Sequence, residues 1–336
     1  MAHELSIING IAEMAYLARE GACWHGLGQP IDDEQPRQVW FDACNISNWD
    51  LLKCKSTFMD PNGVIRRVPG QVQIVRDDNF AHIGTVSEAF NIHSIKEVSN
   101  FMFDCVERLG FEMSTMGVLF NGKKFWCQAN IKKSVNIGDV DRVDGKLLIA
   151  VPNTGKENST FTWTTVRTVC NNTLRAALGA GVSMHKLNHL QAFNADEVAE
   201  ALGFFDLDEW SKGAEDMSKI KLTDSQALDY LAKVFSVYED AEVDEVDAVE
   251  AQEERLALAA DNRTVMSCFD LFNGEGLGAE LVTAKGTLWG AVNSVTQYVD
   301  HERNCRTWDA RFNDAQFGRW ANVKDRAWDE AIKMAA

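Results

Sequence analysis

FEMSTMGVLFNGKKFWCQANIKK, running from Phe111 to Lys133, decides the fold of this chain. Apolar and polar residues alternate on both sides of Asn121-Gly122, the dipeptide that suits the positive φ angles of a two-residue type I′ hairpin turn. That turn sets Gly117 opposite Trp126 and allows both faces to be written out. One face carries Phe120, Val118 and Met116 against Phe125, Cys127, Ala129 and Ile131 and belongs to the core. The other carries Leu119, Gly117, Thr115 and Met113 against Lys124, Trp126, Gln128, Asn130 and Lys132. Aromatic and basic side chains interleaved on such a face can stack and screen a single strand of nucleic acid. The alternative is an ordinary solvent face on which Trp126 covers the bare Gly117.

Upstream, Ser94-Ile-Lys-Glu97 is a capping box, and Ile95, Val98, Met102, Cys105, Val106 and Leu109 behind it keep helical spacing until Gly110 supplies the stop. Short strands precede this helix at 72–76 and 81–86. Downstream, strands are expected at 146–152 and 159–169, where Phe161, Trp163 and Arg167 share one face and threonines line the other. Asn171 or Asn172 then reads as the cap of a new helix that ends at Gly179 or Gly181. Such a start places Arg167 and Arg175 beside unpaired helix N–H groups, a corner suited to phosphate.

From Asn194 onward the pattern is helical. Asn194-Ala-Asp-Glu197 and Thr223-Asp-Ser-Gln226 are capping boxes, and Leu288, Trp289, Val292, Val295, Thr296 and Val299 share a helix face. The order predicts an α+β fold, an antiparallel sheet with a long β-hairpin flanked by helices, plus a helical C-terminal region. It divides the chain into an N-terminal segment (1–60), an α+β core (61–192) and a helical acidic region (193–336).

The formal net charge is −17 over 336 residues, which disfavours a polyanion as partner unless the charge is uneven. It is uneven. Phe101 to Leu190 holds 11 basic and 7 acidic residues, whereas Asp196 to Glu254 holds 19 acidic and 4 basic. The acidic stretch reads either as a solvated helical face or as a surface for a host protein. No run approaches the roughly 18 apolar residues of a membrane span, and Met1-Ala-His-Glu-Leu-Ser lacks a secretory pattern, so a cytoplasmic location without membrane contact is expected. The eight cysteines are scattered and read as free thiols.

The motifs of P-loop ATPases, Rossmann proteins, α/β-hydrolases and zinc deaminases are all missing, so no cofactor is expected. His185 and His189 have the spacing of helical metal ligands but lack the accompanying glutamate. Asp139, Asp141 and Asp144 match a calcium loop only loosely and read first as a hairpin turn.

Four blocks together carry a family resemblance: Cys23-Trp-His-Gly-Leu-Gly28, Asn121-Gly122 with Trp126, Arg167-Thr-Val-Cys-Asn-Asn-Thr-Leu174, and Gly286-Thr-Leu-Trp-Gly-Ala-Val-Asn293 with Tyr298. They resemble the phage/plasmid-like protein family, domain of unknown function 932. The resemblance implies a cytosolic protein of phages and mobile elements and no established reaction. The central helix, sheet and hairpin also resemble the fold of eukaryotic-type recombination mediators that anneal single strands in rings. These resemblances imply a non-catalytic, ATP-independent protein that binds or anneals single-stranded DNA as a homo-oligomer. Lys124, Trp126, Lys132 and Lys133 would hold the strand, with Arg167 and Arg175 on phosphates. The rival expectations are an acidic DNA mimic that captures a host protein through Asp196–Glu254, and a metal-dependent nuclease built on Asp139, Asp141 and Asp144.

Overall fold

The computed structural model describes residues 7–8, 11–20, 28–169, 172–175, 177–178, 181–182, 184–203, 206–238 and 248–336. At the N-terminus, β1 (Ile7–Ile8) pairs with β2 (Ile11–Ala12), and β3 (Met14–Leu17) runs parallel to β4 (Gln29–Ile31). Helix α1 (Arg37–Ala43) buries Trp40 and Phe41. A separate three-stranded antiparallel sheet follows, formed by β5 (Leu51–Met59), β6 (Ile65–Arg76) and β7 (His82–Ser87). Helix α2 (Ile95–Leu109) starts where the Ser94 hydroxyl accepts the Glu97 N–H and stops at Gly110, whose φ of 71° is left-handed. Its apolar stripe, Ile95, Val98, Phe101 and Met102, is buried.

The central meander then runs through β8 (Glu112–Leu119), β9 (Lys124–Ile137), β10 (Asp141–Pro152) and β11 (Ser159–Arg167). It continues into β12 (Asn172–Arg175), the small hairpin β13 (Ala177–Leu178) and β14 (Gly181–Val182), and β15 (Met184–Leu187). The main sheet has the order β12-β11-β10-β9-β8-β3-β4, with β15 added to β11. The α+β reading holds, and so does the hairpin register. Gly117 faces Trp126, Val118 faces Phe125 and Leu119 faces Lys124, with a slip only between Met113 and Thr115. The turn is wider than a two-residue one, because Phe120, Asn121 and Gly122 all have positive φ.

Gly117 is bare for a reason other than Trp126. A Cβ there would stand 2.9 Å from the Glu13 carbonyl and 3.1 Å from the Met14 side chain, because β3 crosses at this point and pairs Met14 with Gly117. Only glycine permits that approach.

The segment after Arg167 departs from expectation. Instead of a helix, β12 pairs antiparallel with β11, from Thr164 opposite Arg175 to Arg167 opposite Asn172. Pairing satisfies the N–H and C=O groups along β11 that a helix would leave exposed at the sheet edge. Asn171, Cys170 and Gly179 lie outside the described residues. His185 sits in β15 and His189 in the following turn, so the two do not share a helix face.

The C-terminal region is helical, with α3 (Ala195–Leu202), α4 (Leu207–Lys219), α5 (Asp224–Val234), α6 (Ala248–Asp261) and α7 (Arg263–Asp270). Three more follow, α8 (Leu288–Gln297), α9 (Trp308–Gln316) and α10 (Arg319–Ala335). Asn194 caps α3, and Thr223 with Gln226 forms a complete capping box on α5. Part of the acidic stretch, 239–247, lies outside the described residues. Trp210 stacks on Trp328 with centroids 5.0 Å apart, and Trp289 meets both edge-on. One buried cluster runs from Ala15 to Ala331. Among the described residues no helix is long and apolar enough to cross a membrane.

Candidate nucleic-acid interface

The expected strand-holding face of the β8–β9 hairpin is covered. Lys124 is 3% exposed, and its ammonium donates to the Glu157 carboxylate and to the Asn313 side-chain oxygen on α9. Burial pushes its pKa below the ordinary lysine value, while Glu157 opposes the shift. Trp126 is also 3% exposed and packs on Phe312 of α9, with ring centroids 4.5 Å apart. Together with Met14, Leu119, Leu148 and Ala150 it forms a second buried cluster, against which Phe120, Phe312 and Phe317 pack. Both faces of the hairpin are therefore core. Neither Lys124 nor Trp126 is available to a strand while α9 is in place.

The anion corner is filled from within. Arg167 is 3% exposed, and its Nε and Nη2 lie 2.8 Å from the Asp141 carboxylate. Its remaining N–H groups reach the carbonyls of Leu277 and Gly278. Asp141 also accepts from Trp289 Nε1 at 2.9 Å and from the Thr283 hydroxyl at 3.4 Å. This network ties the sheet to the C-terminal half, and truncating one member of a buried pair costs about 3–5 kcal/mol because the other charge is stranded. Arg175 belongs by its backbone to β12, and its side chain lies outside the described residues. Lys132 and Lys133 are exposed, with Lys132 at 4.0 Å from Glu112.

The three aspartates do not converge. Asp141 is spent on Arg167, Asp144 bonds Arg142 and Thr168, and Asp139 occupies the exposed turn with φ 62°. Among the described residues no group of three or more metal-ligating side chains comes together.

What stands open to solvent is the other long hairpin, β5–β6. Its distal half is exposed on both faces, including Phe58 (51%), Met59 (69%) and Ile65 (69%). Phe58 lies opposite Arg66, Thr57 opposite Arg67 and Met59 opposite Ile65. Leu51 to Gln71 contains four basic residues against the single acid Asp60, in a chain whose net charge is −17. The tip is well held: Asp60 accepts from the N–H groups of Asn62 and Val64 and from Arg66 Nε at 2.6 Å. These bonds, the Val64 amide first, lower the Asp60 pKa. The sequence signal was available in Lys53-Cys-Lys55, Phe58 and Arg66-Arg67 flanking Pro61-Asn62-Gly63, a turn-forming run.

At the foot of this arm lies a groove of about 870 Å³, between the two sheets. Gln71 and Ser87 line it from the small sheet, Lys156 and Asn158 from the β10–β11 loop, and Asn188 and His189 from the turn after β15. A stack of three rings stiffens its floor. His189 lies between Phe90 and His93, at centroid distances of 4.3 and 4.1 Å. Its Nδ1 donates to the Asn91 carbonyl at 2.9 Å, and His93 Nε2 donates to the Gln191 carbonyl at 2.9 Å. Burial, the dominant cause, pushes the His189 pKa down to about 4 and lowers that of His93 as well. Both imidazoles are neutral near pH 7.

A family profile described as "Domain of unknown function (DUF932)" matches residues 82–321, which takes in the strands from β7 onward and the helices from α2 to α9. The chain belongs to the DUF932 family. The β5–β6 arm of this DUF932 protein precedes the matched span, whereas the Asp141–Arg167–Trp289 network lies inside it. No curated protein matches the chain, and no solved structure does.

Proposed function

We propose that this DUF932 protein binds single-stranded DNA without a nucleotide cofactor, and that it anneals strands as a homo-oligomer. The observation that carries the reading is the solvent-exposed β5–β6 arm, which interleaves Phe58, Met59 and Ile65 with Lys53, Lys55, Arg66 and Arg67. Bases stack on aromatic side chains whatever their identity, and basic residues neutralise the backbone between them. Against a net charge of −17, a local cationic arm also selects the orientation in which a polyanion can approach. Exposed Lys132 and Lys133 are proposed as separate phosphate contacts on the main sheet, while Lys124, Trp126 and Arg167 support the scaffold. Annealing requires holding and releasing strands and no hydrolysis step, which agrees with a chain lacking a nucleotide-hydrolysis motif.

The test is a titration of a labelled single-stranded oligonucleotide, followed by anisotropy at several salt concentrations. The wild-type chain should bind more weakly as salt rises. Reversing Arg66 and Arg67 to glutamate should cost at least about tenfold and reduce the salt slope by roughly one ion per arginine. No binding even at low salt would overturn the reading, and full binding by the double reversal would remove the arm from it.

A further inference from the structure

We infer that the groove at the foot of the arm is a nucleotide site, which takes one base with its phosphate; the inference rests on the single-stranded DNA reading for the source of that nucleotide. The walls come from four segments that are distant in sequence: Pro69–Gln71, Thr85–Phe90, Gly155–Asn158 and Asn188–Leu190. A volume of about 870 Å³ is of the size that encloses a small molecule.

The chemistry of the walls selects the ligand. Gln71 and Asn158 offer side-chain amides, each both donor and acceptor, which is what the edge of a nucleobase requires, and Asn188 adds an amide whose oxygen already accepts from the Leu190 N–H at 2.9 Å. Among the described residues none hydrogen-bonds the amide groups of Gln71 or Asn158, and both side chains are exposed. The charge favours an anion. Glu88 is held by Arg67 and Glu157 by Lys124, so the two carboxylates beside the groove are already neutralised and Lys156 is the exposed cation on its lip. Gly70, at φ 72°, has no described residue within 4 Å of where a side chain would stand, which leaves the backbone open to close approach. The Phe90–His189–His93 stack beneath keeps these groups in place without contributing a charge at neutral pH.

The position links groove to arm. Gly70 and Gln71 continue strand β6 directly from Arg66 and Arg67, and the Arg67–Glu88 pair bridges the arm to the groove wall. A strand lying along the arm would therefore run into the groove.

The probes are 2′-deoxynucleoside 5′-monophosphates, with inorganic phosphate and a deoxynucleoside as separate controls, titrated into the full chain and followed by calorimetry or ligand-observed NMR. The monophosphate should bind more tightly than either control. Gln71→Ala with Asn158→Ala should weaken it about tenfold, as expected for two lost hydrogen bonds, and Lys156→Ala should bring the monophosphate down to the level of the deoxynucleoside. Arg66→Glu alone, whose partner Asp60 lies at the tip of the arm, should leave mononucleotide binding unchanged. If the wild-type chain binds oligonucleotide but no monophosphate, and the groove variants bind oligonucleotide normally, the inference is wrong and the strand reading stands. If the monophosphate binds in the groove while no oligonucleotide binds, the strand reading is wrong and the groove is a site for free nucleotide. Equal binding of inorganic phosphate and monophosphate would also overturn the inference, because the amides would then have no role.

Discussion

The hairpins β8–β9 and β5–β6 carry similar residues and have opposite fates. Each sets an aromatic ring and basic side chains on an alternating pair of strands, Trp126 with Lys124 in one and Phe58 with Arg66 in the other. In β8–β9 the second face is roofed by α9, so Trp126 packs on Phe312 and Lys124 is drawn to Glu157 and Asn313. In β5–β6 nothing among the described residues covers the distal half, and Phe58 remains about half exposed at 51%. An aromatic and basic strand pair is therefore a binding surface or a core layer according to what the rest of the chain lays over it.

The comparison breaks most readily at its buried side. Arg167→Ala should lower unfolding free energy by about 3–5 kcal/mol in urea denaturation, because the buried Asp141 carboxylate would lose its arginine and retain, among the described residues, Trp289 and Thr283 as partners. A variant that kept wild-type stability but lost DNA binding would restore Arg167 as a phosphate ligand. Trp126→Ala should cost a similar amount, about 3–5 kcal/mol, through the cavity left beside Phe312 and Leu148. Were the cost near zero, α9 would not be a fixed roof, and the β8–β9 face would return as a candidate contact.

The seam between the two regions should respond to pH. His189 titrates near 4 in the folded chain against an ordinary value near 6.5, so the unfolded chain binds the proton more readily between those limits. Stability should be highest above about pH 6.5 and fall as the pH drops towards 4, by up to about 3 kcal/mol from this group. His189→Phe, which can keep the stack on Phe90 and His93, should flatten that part of the profile. A profile unchanged by the substitution would place the sensitivity elsewhere.

The smallest structural effect belongs to the arm. Phe58→Ala should change stability by no more than about 0.5 kcal/mol, as at an exposed position, yet weaken oligonucleotide binding by roughly fivefold or more through the lost stacking. Comparable losses in both measurements would show that Phe58 is packed in solution, and the contrast between the two hairpins would fail.

Local rules were legible in the sequence wherever the cause is local. The Ser94 cap and the Gly110 stop bound α2 because capping geometry depends on a few neighbouring residues. Asn121-Gly122 set the pairing of Gly117 with Trp126 because strand register follows from the turn. The family match rests on the same linear information. Tertiary structure alone decided which faces meet water. Asn313, which helps bury Lys124, lies 189 residues away in sequence, and Asp141 is joined to Trp289 across 148. It also decided that residues 172–175 become a strand, since the free edge of β11 offered hydrogen bonds that a nascent helix there could not replace. Periodicity states which residues share a face, and burial is a property of whatever that face is pressed against.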